Sequence, residues 1–154
     1  MKNRYIERDS YIEGVMDDLY NTDILTLSAS LRNERLDTPD GTSRKVSKLC
    51  GSWLEIDVKM DGEKVSEAAL RVQACALGQA SAGILKEKIV GSTLPELIEA
   101  RDALRAILKS GGVPPEGPFA RLALLKGVAA YPVRHTSTML SFEAAVEAVE
   151  RALK

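Results

Sequence analysis

The sequence predicts an α+β domain in which a small antiparallel β-sheet of about three strands packs against several α-helices. Two observations predict this class. Residues 53–60 alternate strictly between polar and apolar side chains and are followed by Asp61-Gly62 and a second strand-like segment, which is the pattern of a β-hairpin. Helical spacing of apolar residues dominates before and after this hairpin rather than between its strands. The helices therefore flank the sheet in sequence, as in α+β folds.

The first helical segment covers residues 10–31. Ser10 and Glu13 form the S-x-x-E pattern of a capping box at its start. Apolar residues recur at intervals of three and four as far as Leu31, so the segment is either one bent helix or two helices. Residues 1–9, before this segment, are expected to be flexible. The polar, turn-rich residues 32–45 are expected to form a loop with one short strand.

The predicted hairpin places the two cysteines of the chain near each other. A two-residue turn at Asp61-Gly62 puts Cys50 opposite Gln73, whereas a four-residue turn puts Cys50 opposite Cys75. In either register both thiols lie at the same end of the hairpin. The pair is therefore a candidate functional site.

Four segments in the second half of the chain have helical spacing. They are 75–88, 93–110, the shorter 119–128 and the C-terminal 139–154. Thr93 and Glu96 form a second capping box at the start of one of them. The segment 111–118 is rich in glycine and proline and is expected to be a loop, and 131–138 is expected to be a connector.

Composition excludes several classes of function. A net charge of −1 gives no electrostatic argument for a nucleic-acid or membrane partner. The chain starts with charged residues instead of a secretory signal, and it has no apolar run of about 18 residues that would span a membrane. Two cysteines in a chain of 154 residues without an export signal indicate one cytoplasmic domain with reduced thiols.

Cys75 lies at the predicted strand-to-helix junction, where the helix dipole stabilises a negative charge. It is therefore expected to be the more reactive of the two cysteines, because the thiolate is both the nucleophile and the metal ligand. The alternative is that both thiols are inert, since cysteine is a small residue that is often buried in protein cores.

Three motifs carry a resemblance to a known family. Cys50-Gly51-Ser52 matches a C-G-D motif at a strand end. Residues 74–81 match a G-C-x-x-x-x-A-S motif at the next strand-to-helix junction, with Ala74 in place of the glycine, and 132–140 matches the zone around a third cysteine. On these motifs the chain resembles the NifU/IscU-type iron–sulfur scaffold family. The resemblance extends over about 19–153 and is closest to the SufU branch, which implies a single NifU N-terminal or IscU-like domain over 1–154.

The resemblance implies a metal-ligand set that this chain carries only in part. Cys50 and Cys75 match family cysteines, whereas Ser52 stands where the family has aspartate and Ser137 where it has a third cysteine. Hydroxyl groups are poor ligands for zinc and iron, so these two positions are weak candidates. His135 lies one residue from the position of a family histidine and is a candidate substitute ligand. The alternative for this histidine is a capping or surface role.

The function that the resemblance implies is iron–sulfur cluster assembly. The thiolates of Cys50 and Cys75 would accept sulfur or hold iron, a transient iron–sulfur cluster or zinc. The implied role is that of a scaffold with an accessory part in sulfur transfer and not that of an enzyme. Its implied partners are a cysteine desulfurase and iron–sulfur client proteins, and a homodimer would supply the four cysteines that a 2Fe–2S cluster takes. The alternative is a paralogue that has lost the metal and works as a binding or regulatory module.

Overall fold

The computed structural model describes residues 19–154. The predicted capping box of Ser10 and Glu13 and the flexible segment 1–9 lie outside the described residues. The strands and α-helices, in chain order, are α1 (Thr22–Ala29), β1 (Gly41–Val46), β2 (Trp53–Asp61), β3 (Lys64–Gln73), α2 (Ala76–Lys88), α3 (Leu94–Ser110) and α4 (His135–Ala152). A 3₁₀ segment, Gly117–Ala130, and a short 3₁₀ turn, Pro132–Arg134, lie between α3 and α4. The predicted α+β class is confirmed.

The three strands form one antiparallel sheet in the order β1-β2-β3. The turn between β2 and β3 lies one residue later than predicted, because Asp61 belongs to β2 and pairs with Lys64. Gly62 has a φ of 60°, a left-handed conformation that glycine adopts without a steric penalty. A bulge between Lys59 and Met60 then shifts the register along the rest of the hairpin. Both predicted registers are therefore wrong at the far end, where Trp53 pairs with Gln73.

Helices cover one face of the sheet. The inward side chains of β2, among them Ile56 and Val58, are fully buried against them. Helix α4 lies across β1, and a Cβ at Gly41 would come within 2.1 Å of the Ala148 carbonyl oxygen, so this approach requires glycine. None of the helices within 19–154 is long and apolar enough to cross a bilayer.

Side-chain caps define where the helices begin. Asn21 accepts a hydrogen bond of 2.9 Å from the Ile24 N–H, so a separate helix starts at Thr22 and Leu31 lies outside it. The N-cap role of Thr93 is confirmed, since its hydroxyl accepts from the Glu96 N–H, but the Glu96 carboxylate accepts from the Thr93 hydroxyl and not from the Thr93 N–H, as it would in a complete capping box.

Helix α4 begins at His135, inside the segment that was predicted to be a connector. The hydroxyls of Ser137 and Thr138 donate hydrogen bonds of 3.1 and 2.7 Å to the Arg134 carbonyl oxygen. These bonds satisfy the polar side chains within the first helical turn, although serine and threonine usually favour turns. The four residues before Met139 are therefore part of the helix and are brought close to the end of the sheet.

Candidate functional site

A cavity of about 310 Å³ lies at the end of the sheet where β2 begins and β3 ends. Its walls come from the β1–β2 turn, from the junction of β3 with α2 and from the residue before α4. The lining residues are Cys50, Gly51, Ser52, Gln73, Ala74, Cys75 and Arg134. The structure therefore brings the two cysteines to one cavity, as the hairpin geometry predicted. Their roles as metal ligands or sulfur acceptors remain predictions.

A tight turn between β1 and β2 presents Cys50 to solvent. The Ser47 N–H donates to the Ser52 carbonyl oxygen at 2.7 Å, and the Gly51 N–H donates to the Ser47 carbonyl oxygen at 2.9 Å. Gly51 has a φ of 73°, which favours glycine and closes the turn. Cys50 is exposed as a result, whereas the serines on either side of it are buried.

Two serine hydroxyls contact the sulfur of Cys50. The thiol donates to Ser47 Oγ at 3.4 Å, and its sulfur lies 3.0 Å from Ser52 Oγ. A hydroxyl hydrogen can rotate to donate to the sulfur once the thiol is ionised. Hydrogen bonding with the Ser47 side chain, the Ser52 side chain and the Ser52 backbone, together with the positive charge of Arg134, outweighs burial and lowers the pKa of Cys50 to about 7. The structure thus favours Cys50 as the reactive thiol, in contrast to the expectation for Cys75.

Cys75 occupies the predicted strand-to-helix junction. It is the N-cap residue of α2, with an extended backbone (φ −65°, ψ 169°), and its side chain makes no capping hydrogen bond. The thiol is half-buried and its sulfur lies 3.7 Å from Ser137 Oγ. Ser137 is buried in the first turn of α4. Cys75 is therefore the more enclosed of the two thiols.

Each serine at a family ligand position lies beside one cysteine. Ser52 contacts Cys50 and Ser137 contacts Cys75. The alignment of the C-G-D motif and of the third-cysteine zone is thus consistent with the geometry of the cavity.

His135 is directed away from this arrangement. It is buried, and its Nε2 lies 3.1 Å from the Val128 carbonyl oxygen and 3.2 Å from that of Ala129. It is not among the residues that line the cavity. A hydrogen bond to the 3₁₀ segment explains this histidine at the start of α4, and the structure does not support the ligand role considered for it.

The side chains around the cavity do not fit a resident zinc ion. Zinc in proteins takes four protein ligands in structural sites and three in catalytic sites, from cysteine, histidine and carboxylates. Within residues 19–154 no group of three or more such side chains could hold a metal ion. Arg134 in the cavity wall adds a positive charge that opposes the binding of a cation. One chain therefore lacks the ligands for a closed zinc site or for a Cys₄ cluster.

The rate at which iodoacetamide labels Cys50 is expected to rise with pH around a midpoint of about 7. The thiolate is the reactive form, so labelling is slow below this pH and reaches a plateau above it. Mass mapping of the Cys50 peptide at timed intervals over a pH series measures the profile, with reduced glutathione as the reference thiol. A midpoint equal to that of glutathione would contradict the activation of Cys50 by its neighbours.

The family model described as "NifU-like N terminal domain" matches residues 13–138. The fold is similar to the crystal structure of a nitrogen-fixing NifU-like protein (N-terminal) from Brucella abortus. The TM-score is 0.87 and the identity 38%, over 90% of this chain and 97% of that chain.

Two curated relatives are similar at lower identity. The "Iron-sulfur cluster assembly scaffold protein IscU" of Streptococcus pyogenes serotype M1 is 26% identical over 102 residues, which are 66% of this chain and 64% of that protein's length. The "Zinc-dependent sulfurtransferase SufU" of Bacillus subtilis is 21% identical over 136 residues, which are 88% of this chain and 92% of that protein.

Proposed function

Because the chain belongs to the family of NifU-like N-terminal domains, we propose that it serves iron–sulfur cluster assembly and accepts sulfur on Cys50. One observation carries the proposal: an exposed cysteine with hydrogen-bonded sulfur shares an open cavity with a second cysteine. The names of the relatives, a cluster assembly scaffold and a sulfurtransferase, agree with this use of thiols.

The proposed step is the transfer of a sulfane sulfur. The Cys50 thiolate attacks the outer sulfur of a persulfide on the donor, and a new S–S bond forms as the donor's S–S bond breaks. The donor leaves as a thiolate, and Cys50 becomes a persulfide. No net oxidation occurs, because one thiolate and one persulfide exchange places. The step requires only a reactive thiolate and an open approach, both of which Cys50 has.

The surroundings of the cavity suit a protein as the sulfur donor. Leu49, next to Cys50, is 77% exposed, and Val133, next to Arg134, is 69% exposed. A protein docked at the cavity would cover both apolar side chains, and burial of apolar surface favours association. We therefore assign the donor role to a cysteine desulfurase and the acceptor role to iron–sulfur client proteins, in the cytoplasm, where both free thiols stay reduced.

The iron–sulfur cluster is the cargo in this proposal. A 2Fe–2S cluster takes four cysteine ligands, whereas one chain contributes Cys50 and Cys75. Two chains that face each other across their cavities would supply the full set, so the scaffold form is a homodimer. The alternative, a binding or regulatory module without sulfur chemistry, uses the same fold and is separated from this proposal by the following test.

The anaerobic, reduced protein is expected to take up one sulfane sulfur from sodium tetrasulfide, seen as a gain of about 32 Da on the Cys50 peptide. Iron and sulfide are then added, and both are counted per chain together with the oligomeric state. A cluster that forms only in a dimer supports the scaffold role. A protein that gains no mass on either cysteine peptide and binds no iron would contradict the proposal and favour the binding module.

A further inference from the structure

We infer that this chain carries sulfur without a resident zinc ion, and that the hydroxyls of Ser47 and Ser52 take the metal's place in stabilising anionic sulfur on Cys50. The inference rests on the proposed function, because it concerns the same thiol. The cavity has too few metal ligands, and Arg134 gives it a positive charge, so it does not favour a metal ion. The positive charge and the serine hydroxyls suit an anion.

The serine hydroxyls are directed at Cys50 and are shielded from water. Ser47 is 1% exposed and Ser52 is 6% exposed, whereas Cys50 between them is exposed. Among the described residues, the hydrogen bonds of both hydroxyl groups go to the Cys50 sulfur. A buried hydroxyl needs such a partner, because burial without one costs free energy. The turn therefore holds two hydroxyl groups against the sulfur, and each can rotate its hydrogen toward the sulfur once the thiol is ionised.

Arg134 is the second element of this anion site. It lines the cavity and forms no ion pair with any residue in the described part of the chain. Its charge acts on Cys50 from across the cavity. An unpaired guanidinium attracts a thiolate or a persulfide anion and repels a zinc ion. The charge of Arg134 thus adds to the attraction of the cavity for anionic sulfur.

Substitutions at Ser52 and Ser137 test whether the chain binds zinc. Zinc affinity and zinc content per chain are measured for the parent and for the double variant Ser52→Asp/Ser137→Cys, which adds a carboxylate beside Cys50 and a thiolate beside Cys75. We expect the parent to hold no stoichiometric zinc after dialysis, and the variant to bind zinc about 100-fold more tightly, because zinc takes four such ligands. The single variant Ser137→Cys, which replaces one oxygen atom by sulfur, is the fallback in case the larger aspartate at position 52 disturbs the fold. We expect its zinc affinity to lie between those of the parent and the double variant. Stoichiometric zinc in the parent, at an affinity equal to that of the double variant, would overturn the inference.

The hydroxyls are tested by removing them. The single variants Ser47→Ala and Ser52→Ala and the double variant Ser47→Ala/Ser52→Ala are treated with sodium tetrasulfide at about pH 7 in the presence of EDTA. The control is Ser92→Ala, which removes a buried hydroxyl bonded to the Lys88 carbonyl oxygen instead. We expect persulfide formation on Cys50 to slow about 10-fold when both site hydroxyls are removed, and the midpoint of the pH–labelling profile to rise. The control and the EDTA-treated parent should keep the original rate. Circular dichroism verifies the fold of each variant.

The outcomes separate this inference from the proposed function. If the parent forms the persulfide only when zinc is supplied, or if the alanine variants match the parent in rate and midpoint, the inference is wrong and sulfur acceptance stands. If the parent forms no persulfide with or without zinc, sulfur acceptance itself is wrong, and a metal-free sulfur carrier is excluded with it.

Discussion

Cys50→Ala is expected to abolish sulfur acceptance, whereas Cys75→Ala is expected to leave a reduced but measurable uptake. Cys50 is exposed in the β1–β2 turn and has hydrogen-bond donors at its sulfur, whereas Cys75 is half-buried beside Ser137. An approaching persulfide therefore reaches Cys50 first. Uptake from sodium tetrasulfide is measured by intact mass, and the modified cysteine is identified in the peptide digest. The variant Ser92→Ala, which changes a buried serine outside the cavity walls, is the matched control.

Cluster formation should depend on both cysteines. A variant with one thiol per chain can supply only two of the four ligands of a 2Fe–2S cluster in a dimer. Each single variant is therefore expected to lose stable cluster formation on addition of iron and sulfide, measured by absorbance and by iron content. Uptake retained in Cys50→Ala and lost in Cys75→Ala would transfer the acceptor role to Cys75, in line with the sequence-based expectation.

Periodicity predicted most of the fold. The alternating segment 53–60 is in β2, the N-cap at Thr93 begins α3, and the glycine after Ser110 ends it. Which residues pair at the cavity end of β2 and β3 depends on the position of the turn and on the bulge at Lys59/Met60, which shifts the pairing register by one residue. No pattern of residue types predicts such a bulge, so the side chain opposite Cys50 could not be derived.

The site was predicted as a pair of cysteines but not as a hydrogen-bonded turn. Strand β1 has one large apolar residue, Val46, and no apolar–polar alternation, so the segment from Ser47 to Ser52 was not expected to be a hairpin turn. Its spacing, with a serine three residues before Cys50 and another two residues after it around Gly51, is the pattern that could have indicated the turn. Because this turn was not predicted, the contacts of the Ser47 and Ser52 hydroxyls with Cys50 were not predicted either.

Because residues 131–138 were predicted to be a connector, the start of α4 at His135 was not predicted, and neither was the part of the cavity wall that Arg134 forms. A segment rich in proline, serine and threonine is typical of a connector, yet its hydroxyls bond to the Arg134 carbonyl oxygen and extend the helix. That extension sets Arg134 at the cavity and Ser137 beside Cys75. His135 is a candidate ligand by residue type, because imidazole is a common metal ligand, whereas its burial against the 3₁₀ segment depends on tertiary packing.

A buried ion-pair network links strands β2 and β3, which lead to the cavity. Arg71 on β3 donates to both carboxylate oxygens of Asp57 at 3.0 and 3.1 Å and to Glu55 at 2.9 Å, with Asp57 and Glu55 on β2. It also donates to the Glu34 carbonyl oxygen at 2.6 Å, and the Leu36 N–H donates to Asp57 at 3.1 Å. The network therefore joins the two strands that lead to the cavity and attaches the preceding loop to their outer face.

Arg71→Met is expected to lower the free energy of unfolding by about 3–5 kcal/mol at neutral pH, because it leaves a buried carboxylate unpaired. Asp57 and Arg71 are only 5% and 7% exposed, so the carboxylate left without its partner is poorly hydrated. Arg44→Met is the control: Arg44 also pairs with Glu55, but its side chain is 55% exposed, and such pairs contribute at most about 1 kcal/mol. Urea unfolding followed by circular dichroism measures both variants, and equal losses would mean that the buried network contributes no more than the surface pair.

The same network predicts how stability depends on pH. Burial opposes ionisation of Asp57, but the hydrogen bonds from Arg71 and the Leu36 N–H outweigh it and lower its pKa, and the Arg71 hydrogen bond lowers the pKa of Glu55. A lowered folded-state pKa stabilises the fold above the unfolded-state pKa of about 4, and this stability is lost as the pH falls below it. The parent should therefore lose stability on acidification from about pH 5 downward, and Arg71→Met, which has already lost this contribution, should show a smaller decline. Parallel declines in the two proteins would show that other carboxylates account for the acid sensitivity.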